Sequence, residues 1–129
     1  MIAGGTGITP VMQIAAEILR NPGDKTVISL VFGAREEGDI LCRSTLDQWA
    51  TAHPDRFQVR YIPSENAPPG WKESGHSVGF VSKELFEEVL YPAGQNVYNL
   101  MCGPPIMLDR GCTPNLLALN HKEENIFSF

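Results

Sequence analysis

Cysteine and basic side chains are scarce in this chain of 129 residues. The three cysteines, Cys42, Cys102 and Cys112, form no C-x-x-C pair and are odd in number. This excludes the disulfide framework of small secreted domains and favours a reducing compartment. The 10 Lys and Arg are outnumbered by 15 Asp and Glu, giving a net charge of -5. Because these scattered cations form no basic face for a phosphate backbone, the sequence predicts no nucleic-acid partner.

Long apolar runs and metal-ligand patterns are also missing. No stretch approaches the roughly 18 consecutive apolar residues of a spanning helix, and no signal peptide precedes the first glycine motif, so we expect no membrane segment. His53, His76 and His121 lie far apart and have no ligand-like spacing with the cysteines. We therefore expect surface or loop histidines and no metal site. A hydrophobic content of 43% suits one domain over residues 1–129.

The run GGTGITP, residues 4–10, is the most informative feature present. Its glycines can take positive φ and let backbone N–H groups approach an anion, and a helix that begins just afterwards directs its positive dipole end to the same place. Thr9 is expected as the N-cap and Pro10 as the first helical residue. Gly5 and Gly7 match the dinucleotide fingerprint, but Pro10 replaces its third glycine, and no Walker A lysine follows. A phosphate cradle is predicted, with a ligand-free turn as the alternative.

Strand and helix patterns alternate along the chain, which predicts an α/β fold with a three-layer parallel sheet. The first strand is truncated, and a long loop over residues 63–79 either lines a site or hangs free. Ser82 is expected to cap the third helix, and Pro114 is expected to break or kink the last one. Predicted strands are residues 1–3, 26–32, 57–62, 97–101 and 125–129, and predicted helices are residues 10–20, 44–52, 81–89 and 104–120.

Three further apolar side chains are expected to have packing roles only. Cys112 is predicted to be a core cysteine of the last helical region. Trp49 and Trp71 are predicted to anchor the core and the long loop.

Three motifs in order resemble the pyridine-nucleotide half of the ferredoxin–NADP reductase superfamily. They are GGTGITP, the sequence CGPP at residues 102–105 followed by Met107, and the C-terminal Phe129. Residues 100–105, 112–116 and 126–129 look most like the NADH-cytochrome b5 reductase family, with the NADH domain of eukaryotic nitrate reductase closely related. The resemblance implies a Rossmann-like NADH-binding domain, and it implies an FAD-binding barrel domain that is absent from this chain.

The resemblance also implies which residues meet the cofactors. Loops that follow parallel strands gather at one sheet edge, so the GGTG and CGPP loops should face each other. Thr6, near both dinucleotide and flavin, and Cys102, beside the nicotinamide, are the candidate catalytic positions. Because no histidine is placed to activate Cys102, it is expected to position the ring rather than attack it, with simple packing as the alternative. Candidate cofactor-binding residues are Gly4, Gly5, Thr6, Gly7, Glu65, Cys102, Gly103, Pro104, Pro105, Met107 and Phe129.

The choice between NADH and NADPH depends on charge beside the adenosine ribose. An acid there accepts hydrogen bonds from a free hydroxyl and repels a 2′-phosphate, whereas an arginine attracts that phosphate. Glu65 favours NADH and Arg35 favours NADPH, and we weight the acid more. Asp39 is expected to cap the helix that follows it.

The function that the resemblance implies is transfer of a hydride from NADH to FAD and of electrons onward to a heme protein such as cytochrome b5. FAD would be held mainly by the companion FAD domain of the full-length protein. The implied location is the cytoplasm, or the cytoplasmic face of the endoplasmic reticulum or mitochondrial outer membrane through an anchor outside this chain. The alternatives are the NADH domain of a nitrate reductase and a non-enzymatic nucleotide-binding module.

Overall fold

Five parallel strands form one sheet in a computed structural model that describes all residues from 1 to 129. The strands are β1 (Ile2–Gly4), β2 (Ile28–Ala34), β3 (Phe57–Pro63), β4 (Asn99–Cys102) and β5 (Ile126–Ser128), and the helices are α1 (Ile8–Arg20), α2 (Arg43–Ala52), α3 (Lys83–Val89) and α4 (Thr113–Ala118). The strand order is β3-β2-β1-β4-β5. The chain therefore winds outward from β1 to β3 and then returns to the other side of β1. The predicted α/β parallel fold is confirmed, with element ends displaced by a few residues at most.

Helices cover both faces of the sheet because successive strand residues point to opposite sides. One core cluster joins Ala3 and Phe32 to the apolar faces of α1 and α2. The other joins Ile2 and Val31 to α3 and α4. All four strand side chains are fully buried, and burial of a large aliphatic or aromatic side chain stabilises a fold by about 1.5–3 kcal/mol. The three predicted layers are therefore present. None of the helices has the length and hydrophobicity that crossing a bilayer requires.

The start of α1 differs from the prediction. Gly5–Gly7 form a 3-10 turn that runs directly into α1, so the helix begins at Ile8 and Gly7 takes the N-cap position with helical φ and ψ. Thr9 already lies inside the helix, and its Oγ1 donates a hydrogen bond to the Thr6 carbonyl oxygen at 2.7 Å. The expectation that Thr9 is the N-cap is wrong because the glycine turn itself is helical.

Pro114 does not break the last helical region. A π-helical turn over Met107–Cys112 continues into α4. Pro114 falls in the first turn of α4, where a missing N–H is tolerated because the π turn has already shifted the hydrogen-bond pattern. The Asn115 side-chain amide donates to the Gly111 carbonyl oxygen at 2.7 Å, which gives that carbonyl a partner. In place of a break, the helix widens locally at the π turn before Pro114.

The predicted packing roles are confirmed for three side chains. Cys112 is fully buried, and this burial raises the pKa of its thiol to about 12, so it stays protonated at neutral pH. Trp49 packs edge-on against Phe57, with ring centroids 5.8 Å apart, and Trp71 is buried within the long loop. The Ser82 hydroxyl accepts a hydrogen bond from Leu85 N–H at 3.2 Å, as expected of an N-cap.

His121 is not on the surface. It lies in the segment between α4 and β5 and is buried, with its Nδ1 2.9 Å from the Asn99 side-chain nitrogen. Burial lowers the pKa of His121. His76 is half-buried against Tyr61 and Trp71, and burial, followed by the charge of Arg43, lowers its pKa too. His121 is thus a loop histidine, as expected, but a buried one, because folding returns this segment onto the buried Asn99.

The free energy of unfolding is expected to fall as the pH is lowered from about 7 to about 5. Because His121 and His76 have lowered pKa values in the folded state, the unfolded chain binds protons at higher pH than the folded chain. Their stabilising contribution is complete above the ordinary histidine pKa of about 6.5 and declines below it. Urea unfolding midpoints measured across this range test the expectation. His121→Gln should reduce the slope, His53→Gln at the end of α2 is the control, and equal slopes in all three proteins would contradict it.

Candidate functional site

A cleft of about 750 Å³ lies at the carboxyl edge of the sheet. It opens where β1 separates the outward winding toward β2 from the return to β4, which is where open α/β sheets bind ligands. Its size is within the range of small-molecule and cofactor sites. The cleft is lined by Gly4, Gly5, Gly33, Ala34, Arg35, Asp39, Ile62, Ser64, Gly79, Phe80, Val81, Pro104, Ile106, Met107, Arg110 and Gly111.

The glycine loop (residues 4–7) and the CGPP loop (residues 102–105) touch each other at one end of this cleft. A Cβ added to Gly7 would overlap the Cys102 carbonyl group and lie 2.8 Å from the Gly103 nitrogen. A Cβ added to Gly4 would lie 2.9 Å from Pro104 Cδ. Only hydrogen at these positions allows the two loops to approach so closely. The prediction that the loops face each other is confirmed.

Met107 fills the space beneath the two loops. A Cβ on Gly4 would lie 2.6 Å from the Met107 sulfur, one on Gly103 would lie 3.5 Å from the same sulfur, and one on Gly33 would lie 3.4 Å from its terminal methyl group. The flexible thioether therefore packs among three glycines from β1, β2 and the CGPP loop. It forms an apolar floor to this end of the cleft.

Gly5 provides the opening above that floor. It has φ +54, and a Cβ added there would meet nothing within 4 Å. It lines the cleft and begins the 3-10 turn Gly5–Gly7, which runs directly into the 13 residues of α1. Because the Ile8 N–H already donates to the Gly5 carbonyl oxygen, the N–H groups that lack helical partners and carry partial positive charge are those of the glycine turn. Chemically, the glycine loop can offer backbone N–H groups to an anion with no side chain in the way.

The other predicted residues of these two loops lie around the cleft rather than in its lining. Thr6 is exposed, Gly7 is buried, Gly103 is half-buried and Pro105 is exposed. Cys102 ends β4, half-buried and paired in register with Ala3. Their roles toward a cofactor stay predictions.

Phe129 follows β5 at the same edge of the sheet. Its backbone N–H donates to the Met101 carbonyl oxygen at 3.0 Å, while its side chain is exposed. The aromatic terminus is therefore held beside the end of β4 with its ring free.

Glu65 and Arg35 are partners rather than alternatives. Arg35 Nε lies 3.2 Å from Glu65 Oε2, and Glu65 N–H donates to the Arg35 carbonyl oxygen at 2.8 Å. This contact extends the β2–β3 pairing beyond the strand ends, whose last matched residues are Ala34 and Pro63. Arg35 lines the cleft and both side chains are exposed. The acid and the base that compete in the prediction are thus joined in one exposed ion pair at this end of the cleft.

Asp39 does not cap α2. It ends the 3-10 turn Glu37–Asp39 and lines the cleft, while the residue before α2 is Cys42, with φ 55 and no side-chain cap. The cap prediction is wrong because two residues and a left-handed backbone step separate Asp39 from Cys42 and the helix.

Three lining side chains were not singled out from the sequence. Phe80 follows Gly79, which has φ +107, and this phenylalanine is 82% exposed. Ile106 is also exposed, and Arg110 places a second cation in the lining. The available sequence signal was an apolar residue immediately after a glycine at the end of a long polar loop. Exposed apolar side chains next to two arginines suit a ligand that has both flat rings and phosphates.

Comparisons with known proteins agree with this geometry. The family profile described as oxidoreductase NAD-binding domain matches residues 1–113. Over its full length the chain is 45% identical to NADH-cytochrome b5 reductase 2 of Danio rerio and covers 40% of that protein. It is also 45% identical, over 97% of its length, to an NADH nitrate reductase of Lotus japonicus, of which it covers 13%.

Among solved structures, the cytochrome b5 reductase domain of Ulva prolifera nitrate reductase superposes with a TM-score of 0.94 at 38% identity. The match covers 100% of this chain and 47% of that one. The chain thus spans less than half the length of each of these three relatives.

Proposed function

Because the chain belongs to the oxidoreductase NAD-binding domain family, we propose that it is the NADH-binding lobe of a flavoprotein reductase. In the full-length protein, a hydride would pass from NADH to FAD, and electrons would pass from FAD to a heme acceptor such as a cytochrome b5. The observation that carries the proposal is the direct contact of the glycine loop with the CGPP loop over Met107. It creates an apolar slot beside backbone N–H groups at the switch point of the sheet.

The dinucleotide would extend from one end of the cleft to the other, and different residues of this chain would bind its pyrophosphate and its adenosine ribose. Gly4, Gly5, Thr6 and Gly7 would meet the pyrophosphate through backbone N–H groups at the start of α1. At the β2–β3 end, Glu65 would accept hydrogen bonds from the adenosine ribose. The cleft fits such a ligand because Gly5 leaves open space where any other residue would project a Cβ.

The nicotinamide would lie against the CGPP loop. NADH, when bound with FAD, supplies the hydride chemistry, so the protein's task is to hold the ring, exclude water and restrict its motion. Cys102, Gly103, Pro104 and Pro105 would flank the ring, and Met107 would support it from below. The apolar proline and methionine side chains would keep water away from the reacting carbon, which suits hydride transfer.

FAD would be held mainly outside these 129 residues, by the FAD domain of the same protein. Thr6 and Phe129 are both exposed and follow strand ends at the cleft edge of the sheet. They would be this chain's contribution to the flavin surface. The heme partner, and a location in the cytoplasm or on the cytoplasmic face of the endoplasmic reticulum or mitochondrial outer membrane, rest on similarity to the cytochrome b5 reductases.

The purified chain is expected to bind NADH more tightly than NADPH, to carry no stoichiometric flavin, and to reduce ferricyanide only when an FAD lobe is supplied. Calorimetric titration with each dinucleotide, flavin absorbance and NADH-ferricyanide turnover measure the three properties. Absence of NADH binding would defeat the proposed function. A full complement of FAD on the chain alone would defeat the assignment of the flavin to a separate lobe.

Two alternatives give different results in these assays. A non-enzymatic nucleotide-binding module would bind NADH, and turnover would stay absent after the FAD lobe is added. The NADH domain of a nitrate reductase, favoured by the similarity to the Ulva and Lotus proteins, would perform the same half-reaction. It would be distinguished by a full-length protein that reduces nitrate.

A further inference from the structure

The segment that follows β3, residues 64–82, contributes to the cleft at both of its ends. Ser64 lines the cleft where the segment leaves β3, and Gly79, Phe80 and Val81 line it where the segment turns toward α3. We call residues 64–82 the cleft loop. Its two ends are 15 residues or more apart in sequence yet share one site, so the shape of the site depends on the contacts that hold this loop against the rest of the fold.

The part of the cleft loop that leads to Phe80 is held at Ser77. Ser77 N–H donates to the Tyr61 carbonyl oxygen at 3.2 Å, and the Ser77 carbonyl oxygen accepts from Trp71 Nε1 at 2.9 Å. Its hydroxyl oxygen accepts from Arg60 at 3.3 Å. Two residues later, Gly79 N–H donates to the Pro63 carbonyl oxygen at 2.9 Å. Residues 77–79 therefore follow the end of β3, and the next residue is the exposed Phe80.

Arg43, in the first turn of α2, lies over the ring of Trp71, which anchors this loop. Its guanidinium carbon is 5.2 Å from the centroid of the Trp71 ring and 5.5 Å from that of Tyr61. Trp71 is only 4% exposed. A guanidinium within about 6 Å of an aromatic centroid is attracted to the ring, and more strongly when water is excluded.

The same guanidinium also reaches the opposite flank of the cleft. Arg43 pairs with Glu37 through a short contact, and Glu37 begins the 3-10 turn that ends at the lining residue Asp39. A second ion pair joins Arg43 to Asp47 at 3.6 Å, and Asp47 accepts a hydrogen bond from the Tyr61 hydroxyl at 2.6 Å.

His76 packs against the Tyr61 and Trp71 rings and does not repel the charge of Arg43. Its ring centroid is 4.9 Å from that of Tyr61 and 5.1 Å from that of Trp71. Burial and then the charge of Arg43 lower its pKa, which favours the neutral ring beside the guanidinium. The guanidinium therefore lies against two aromatic rings, and the His76 ring packs against both of those rings.

We infer that Arg43 is a positioning residue for the dinucleotide, because its planar guanidinium joins the Trp71-anchored cleft loop on one flank to the Glu37–Asp39 turn on the other. This inference rests on the proposed function and extends it to a residue outside the cleft lining. Arg43 touches no ligand. It acts by keeping Phe80 and Asp39 at a distance from each other that fits the adenosine half of NADH.

The test replaces Arg43 with methionine and measures NADH affinity together with the seating of the loop. In the background Trp49→Phe, Trp71 is the remaining tryptophan, so acrylamide quenching of its fluorescence reports its access to solvent. We expect Arg43→Met to bind NADH about tenfold more weakly. Trp71 should become more open to quenching, and saturating NADH should restore its protection because the ligand binds the seated loop.

The matched control is Arg20→Met, which removes another ion-paired arginine from the end of α1 (its partner is Glu17) and should change neither measurement. Arg43→Lys keeps the charge for Glu37 and Asp47 but loses the planar stack. Arg43→Lys should therefore also weaken NADH binding, and it provides the test if Arg43→Met does not fold.

The outcomes separate this inference from the proposed function. Wild-type affinity in both Arg43 variants overturns the inference, as does weaker binding with unchanged Trp71 quenching. A wild-type chain that binds no NADH defeats the proposed function and the inference with it. If the wild-type chain binds NADH and the Arg43 variants bind it equally well, the inference fails and the proposed function stands.

Discussion

Replacing Gly7 with alanine is expected to lower the free energy of unfolding by about 3 kcal/mol and to abolish dinucleotide binding. The added Cβ would overlap the Cys102 carbonyl group and lie 2.8 Å from the Gly103 nitrogen. Both neighbours are backbone atoms held by β4, so neither can rotate away as a side chain would. The glycine and CGPP loops would have to separate, and the slot between them would be lost. Urea unfolding and calorimetric titration with NADH measure the two effects.

Gly94→Ala is the matched control for this substitution. Gly94 lies between α3 and β4, outside the cleft lining, and a Cβ there would make only ordinary contacts, the nearest 3.5 Å from Val97 Cγ2, so stability and binding should stay near wild type. If Gly7→Ala unfolded at the same urea concentration as the wild-type chain and bound NADH with the same affinity, the close approach of the two loops would be refuted. Retained stability with lost binding would mean that the loops part without cost to the core.

Replacing Glu65 with glutamine is expected to shift the preference from NADH toward NADPH by about tenfold to a hundredfold, the range of one or two charge-assisted hydrogen bonds. The carboxylate would no longer repel a 2′-phosphate. Arg35, now 3.2 Å from Glu65, would be released from its ion pair to meet that phosphate. The measurement is the ratio of the NADH and NADPH dissociation constants, determined by calorimetry at one fixed salt concentration.

The role of Arg35 in that shift is tested by a double variant. Glu65→Gln combined with Arg35→Ala should lose most of the gained NADPH affinity, because no cation remains at the end of β2. Glu73→Gln removes an exposed acid from the same loop and should leave the ratio unchanged. If Glu65→Gln also leaves the ratio unchanged, the acidic end of β3 does not select the dinucleotide.

Local sequence patterns predicted the strands, helices and loops because these elements depend mainly on residues that are close in sequence. Continuous apolar residues before Phe32 indicated a buried strand, Ser82 indicated a helix start, and the GGTG and CGPP motifs at strand ends indicated two loops that face each other. Those expectations agree with the structure. The same reasoning failed at Thr9, and at Pro114, where a break or a kink was expected, the structure has no break but a π turn that continues into α4. In both places a 3-10 or π turn shifted the hydrogen-bond register by a residue, which side-chain preference alone does not report.

The amino-acid sequence alone determined the alternation of strands and helices, the two motifs at strand ends, and the family to which the chain belongs. Apolar periodicity and glycine placement act over a few residues, and the motifs lie in short runs that can be read directly. Only the tertiary structure decided that Glu65 pairs with Arg35, that Met107 packs among three glycines, and that Arg43 joins both flanks of the cleft. These contacts join residues far apart in the chain, and they exist because the strand order places particular strand ends side by side at one edge of the sheet.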